Sequence, residues 1–169
     1  MNKNALAQAI KSLTIVNVYM RDSKITVAES FDNLLGNQVL QVQYKVAPAH
    51  SAVLNLSNTD DPNVNASFFR VQVNSEVHLI KPNQEGEDTS TQNKIEIEIS
   101  ANFVADYQIV TQDLPEKSAL DEFAINNSPF HIWPYWREFI QSTCARLQIS
   151  PLVLPMYQAP VVEKSAEHV

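Results

Sequence analysis

Three stretches of the chain alternate apolar and polar residues with a period of two. In 39–46, Val42, Tyr44 and Val46 alternate with Gln41, Gln43 and Lys45. In 69–79, Phe69, Val71, Val73, Val77 and Leu79 alternate with Arg70, Gln72, Asn74, Glu76 and His78. In 95–103, Ile95, Ile97, Ile99, Ala101 and Phe103 alternate with Glu96, Glu98, Ser100 and Asn102. Side chains on a strand point to opposite faces in turn, so these patterns predict antiparallel strands with one buried and one wet face. A fourth run, Leu13–Met20, differs. Leu13, Ile15 and Tyr19 share one face, while Thr14, Val16, Val18 and Met20 share the other, so both faces are largely apolar. Such a strand is covered on both sides, by the fold or by a partner. A short extended piece, Lys24–Val27, leads from it into a loop ending near Gly36.

Helical spacing appears at both ends of the chain. Ala5, Leu6, Ala9 and Ile10 predict a short amphipathic helix over 2–11. Pro115 opens a short helix carrying Leu120, Phe123 and Ala124 to about Ile125. Ser128 and Pro129 suit the N-cap and first position of a longer helix, with Trp133, Trp136, Ile140, Cys144 and Leu147 along one stripe. Prolines at both ends and in the middle make 151–160 an extended apolar arm. The polar 81–93 stretch reads as a hairpin loop, and the segment after Ala47 as a connection with an apolar patch at Val53, Leu54 and Leu56. The expected organisation is an N-terminal extension over 1–12, one domain over 13–157 and a flexible polar tail over 158–169. Its class is α+β, an antiparallel sheet followed by helices.

Composition narrows the function. The 169 residues are 44% hydrophobic and 18% charged, which suits a globular chain. A net charge of −7 argues against nucleic-acid binding through phosphate neutralisation. Two glycines, Gly36 and Gly86, leave no glycine-rich phosphate loop. No apolar stretch approaches the ~20 residues that span a bilayer, and the N-terminal stretch has no continuous apolar signal segment, so no membrane insertion and a cytoplasmic location are expected. The single cysteine, Cys144, lies thirteen positions from His131 on one helix, where the two cannot meet. The four histidines show no zinc spacing. No enzymatic role and no cofactor are expected.

The helix and arm carry more apolar surface than one sheet face accepts. Successive helical residues diverge by about 100°, so Trp133, Trp136 and Phe139 demand a second cover, either another subunit or a client. Two functions fit. A holdase would leave part of the surplus open as a groove, whereas an adaptor would consume all of it in self-assembly. The candidate client contacts are Val53, Leu54, Leu56, Trp136, Ile140, Leu152, Leu154 and Met156. Binding many sequences requires apolar area without directional hydrogen bonds, and flexible Met and Leu side chains repack around different clients.

Residues 129–157, PFHIWPYWREFIQSTCARLQISPLVLPMY, resemble the C-terminal signature of the SecB export-chaperone family. The matching positions are Pro129, Trp133-Pro134-Tyr135, Arg137-Glu138, Arg146, and Pro151 with Leu152 and Leu154. Tyr19, Arg21 and Asp22 resemble the family's first strand. The resemblance, over roughly 13–157, implies a four-stranded antiparallel sheet with crossing connections, helices on one face and a homotetramer built as a dimer of dimers. It also implies an ATP-independent chaperone that holds unfolded or nascent polypeptides in apolar grooves and keeps preproteins competent for Sec export. Its acidic outer sheet face would dock SecA, here through Asp22, Glu96 and Glu98, although Thr26 stands where the family has another acidic residue. The closing helix of the family is missing or truncated. The N-terminal helix and the WPYWRE wording are similar to SecB-like members that serve toxin–antitoxin pairs, which makes an antitoxin the alternative partner.

Overall fold

The computed structural model describes residues 2–32, 34, 40–57, 65–82 and 94–157. The elements are α1 (Lys3–Ser12), β1 (Leu13–Val27), β2 (Gln41–Ser57), β3 (Asn65–Lys81), β4 (Lys94–Ile109), α2 (Lys117–Asn126) and α3 (Ser128–Leu147). The strands form one antiparallel sheet in the order β1-β4-β3-β2, so the β1–β2 connection crosses from one edge of the sheet to the other. The expected class is observed: α+β, with four antiparallel strands.

The period-two stretches build the core. Val73 faces Phe103, Val77 faces Ile99 and Leu79 faces Ile97, all buried on the face that carries the helices. β4 runs beyond Phe103, and its added residues Ala105 and Tyr107 extend the same row. The α3 stripe lies on this face, with Ile132, Trp136, Ile140 and Cys144 free of solvent. Trp136 meets Phe103 edge-on at 6.3 Å between centroids. At the other end of the chain, the Asn2 side chain caps α1 by accepting from the Ala5 amide at 3.2 Å. Ala5 and Ala9 are buried, and α1 packs against α2, where the Asn2 amide donates to Glu122 Oε1.

Several expectations are corrected. β1 is one strand rather than two, and its ladder slips between Ile15 and Asn17 and again between Met20 and Asp22. Each bulge inserts one residue and reverses the alternation beyond it. Ile15, Val18, Met20, Ile25 and Val27 therefore all oppose helix-facing residues of β4, and Tyr19 does not share a face with Ile15. β2 continues through Pro48 to Ser57 instead of ending near Val46. A proline is tolerated because β2 is an edge strand and its ladder slips between Pro48 and His50. Asn127, not Ser128, caps α3.

Trp133 and Trp136 need no second subunit. They are 5% and 0% exposed, because the sheet covers Trp136 and the arm folds back over Trp133. The proposed hairpin loop lies outside the described residues from position 83, as do Gly36 and the 158–169 tail.

Candidate functional site

A cleft of about 600 Å³ opens where β2, the end of α2, the start of α3 and the end of the arm converge. Its wall includes Tyr44 and Pro48 from β2, Ile125 from α2, Pro129 and Trp133 from α3, and Met156 with Tyr157 from the arm. Three aromatic rings follow one another along it, and Phe130 continues the row beyond its wall. Tyr44 lies 5.8 Å from Trp133, Trp133 5.5 Å from Tyr157, and Tyr157 6.5 Å from Phe130. Tyr44, Ile125 and Met156 are exposed to solvent. The Trp133 indole N–H donates to the Pro155 carbonyl at 3.0 Å. Such a surface can hold an extended apolar segment: the rings supply area, and β2, as a sheet edge, has one side without a strand partner among the described residues.

The structure does not bring the sequence-predicted client residues together. Val53 opposes Phe69 on the helix face, whereas Leu54 and Leu56 oppose Phe68 and Ala66 on the outer face. The connecting loop expected for them is edge strand. Trp136, Ile140 and Leu154 are buried in the core and Leu152 is half-buried, which leaves Met156 as the member that lines the cleft. Tyr44, Pro48, Trp133 and Tyr157 were missed as a group. The available signal was an aromatic residue alternating toward a proline on a strand, since Pro48 marks an edge.

The outer face carries two of the three predicted docking carboxylates. Asp22 pairs with Asn102 across the β1–β4 ladder, and Glu98 lies between Thr26 and His78. Glu96 is a correction. The β3–β4 ladder slips between Leu79 and Ile80, opposite Glu96, and leaves it 3% exposed. Its carboxylate accepts from Ser30 Oγ at 3.0 Å and lies 3.7 Å from Lys94 Nζ. A buried carboxylate with such partners holds the loop after β1 and is unavailable for docking.

Beside the cleft, Tyr107 Oη and His131 Nδ1 lie 3.1 Å apart. Burial pushes the Tyr107 phenol up to about 12, so it keeps its proton, and the imidazole tautomer sets which of the two groups donates. Burial also lowers the His131 pKa. A histidine held neutral in the fold contributes stability above its unfolded pKa of about 6.5, and that stability is lost as pH falls toward the lower folded pKa. Chemical unfolding at pH 7.5 and 5.0 should show this loss in the wild type and a smaller one in His131→Phe; an equal loss in both would remove His131 as its source.

No family model matches the chain, and no curated protein matches it. Among solved structures, it is similar to the Mycobacterium tuberculosis Rv1957 SecB-like chaperone in complex with a ChAD peptide from the Rv1956 HigA1 antitoxin. The two share 20% sequence identity and a TM-score of 0.67, over 94% of this chain and 100% of that one. The chain has the fold of a SecB-like chaperone.

Proposed function

We propose that this chain is an ATP-independent, SecB-like chaperone that holds an extended apolar segment of a partner polypeptide. The segment would lie against β2 and α3, on the side of the cleft that the arm covers, and the partner would be a dedicated one of the antitoxin kind. The observation that carries this reading is the ring-lined cleft beside a sheet edge, in which Trp133 already bonds the carbonyl of an extended segment. Apolar area supplies affinity, and a backbone carbonyl is a feature every client offers, so the site needs no particular client side chain. The solved neighbour, bound to an antitoxin peptide, favours a dedicated partner over general export. The role would be cytoplasmic and would need no cofactor. No helix among the described residues is long and apolar enough to cross a membrane.

Tyr44→Ala tests the cleft directly. Tyr44 is 47% exposed and packs on Trp133, so its loss should leave the fold intact. Removing one aromatic wall of a binding site is expected to weaken capture of an unfolded polypeptide about tenfold. Titration followed by tryptophan fluorescence measures it. Unchanged affinity would move the site elsewhere.

Asp22 and Glu98 on the outer face favour a second reading, docking of SecA for export. Their attraction for a basic surface would fall with salt over a Debye length of about 8 Å at physiological strength. Detectable SecA binding at low salt that Glu98→Lys weakens would support export; none would leave the dedicated-partner reading.

A further inference from the structure

The arm that follows α3 is seated as a client would be. Gln148 adopts a left-handed backbone, φ 54°, and turns the chain back, with the Ile149 amide donating to the Cys144 carbonyl at 3.1 Å. From there the arm runs antiparallel along α3. Leu152 packs against the core, Met156 Sδ lies 3.9 Å from Arg137 Nη1, and Tyr157 packs on Trp133 and Phe130. The five extended steps from Leu152 to Tyr157 cover about 16 Å, the length of the eleven helical steps from Trp133 to Cys144. Burial alternates along it: Leu152 half-buried, Val153 exposed, Leu154 buried, Pro155 exposed.

The arm is held by few directional contacts. Between Ser150 and Tyr157 it makes no backbone-to-backbone hydrogen bond with other described residues. Trp133 bonds it at Pro155 and Arg137 at Met156, and apolar packing supplies the rest. Pro151 and Pro155 restrict the backbone at two positions of the arm, so the segment has less order to lose on leaving and regain on returning. Its chemistry displays what the α3 face accepts: an extended chain, bulky apolar residues at alternate positions, and a carbonyl for the Trp133 indole.

We propose that residues 151–157 are an internal competitor that occupies the α3 face until an extended apolar segment of the partner displaces it. This deepens the chaperone reading above and rests on it. A face occupied by its own arm binds clients at an affinity reduced by the fraction of time it is free. When folding withdraws the partner's segment, the arm retakes the face, so release needs no ATP.

Cys144 is the single cysteine, is fully buried and belongs to the core cluster against which Leu152 packs, so it reports the displacement in the full chain. The experiment follows alkylation of Cys144 with and without a permanently unfolded, carboxymethylated polypeptide that has no free thiol. Client binding is expected to accelerate alkylation. Leu152→Ser, outside the cleft wall, should accelerate it without client and tighten client binding about threefold to tenfold. Binding that leaves Cys144 unchanged or protects it, or a Leu152→Ser variant that binds more weakly, would overturn the arm as competitor while the chaperone reading stands. Absence of client binding to wild type and variant alike would overturn both.

Discussion

Replacing Trp136 with alanine should destabilise the fold by about 3–5 kcal/mol, a large part of the 5–15 kcal/mol typical of a domain. The indole is wholly buried, edge-on to Phe103 and stacked on Phe139 at 5.9 Å, with Ile132 and Ile140 fully buried on the same helix. Deleting it leaves a cavity between α3 and the middle of the sheet that close-packed neighbours cannot fill. Its Nε1 has no hydrogen-bond partner among the described residues. Trp136→Phe removes that unsatisfied donor along with part of the ring, so the two effects oppose each other and the net change should stay within about 1 kcal/mol. Denaturant unfolding of both variants, followed by circular dichroism, measures the pair. A loss under about 1 kcal/mol for the alanine variant would place Trp136 outside the load of the core.

The wild-type chain should be a dimer or larger at micromolar concentration, and Met20→Lys with Ile25→Lys should make it a monomer. β1 is a fifteen-residue strand at the edge of the sheet. Its helix-facing row is left open at the end of the sheet, with Ile15, Met20, Ile25 and Val27 each 40–44% exposed. A long edge with unpaired backbone and apolar side chains is a template for another strand, and a second β1 laid antiparallel satisfies both copies about one two-fold axis. Burying each such side chain contributes up to about 1.5–3 kcal/mol, so charging two of them in both copies should outweigh the contact. Light scattering coupled to size exclusion decides it. A wild-type monomer would show that Arg21, Asp22 and Lys24 guard the edge as charges commonly do.

That β1 carries more apolar residues than a sheet edge needs was legible, because a run with apolar residues at odd and even positions holds them in any register. Which residues share a face was not, since the bulges at Val16 and Arg21 reverse the alternation and nothing local announces them. The α3 stripe was legible from spacing alone. Its surplus was misjudged, because the arm that covers Trp133 is joined to α3 by a turn whose direction depends on the left-handed Gln148.

By itself, the sequence determined the class of the fold and most of its core. Side-chain alternation on a strand and the 3.6-residue helical period are properties of the backbone, so Val71, Val73, Val77, Ile97, Ile99 and Phe103, or Trp136 and Ile140, declare their burial wherever the elements pack. Only the tertiary structure decided the site. Tyr44, Ile125, Trp133 and Tyr157 belong to four separate elements, and their meeting depends on β1 and β2 taking opposite edges and on the arm reversing along α3. Glu96 makes the same point from the other side: its strand parity reads as solvent-facing, and a one-residue slip in the ladder buries it. Local pattern sets which face a residue would prefer, whereas register, crossover and chain reversal, which join residues far apart in sequence, set which faces exist.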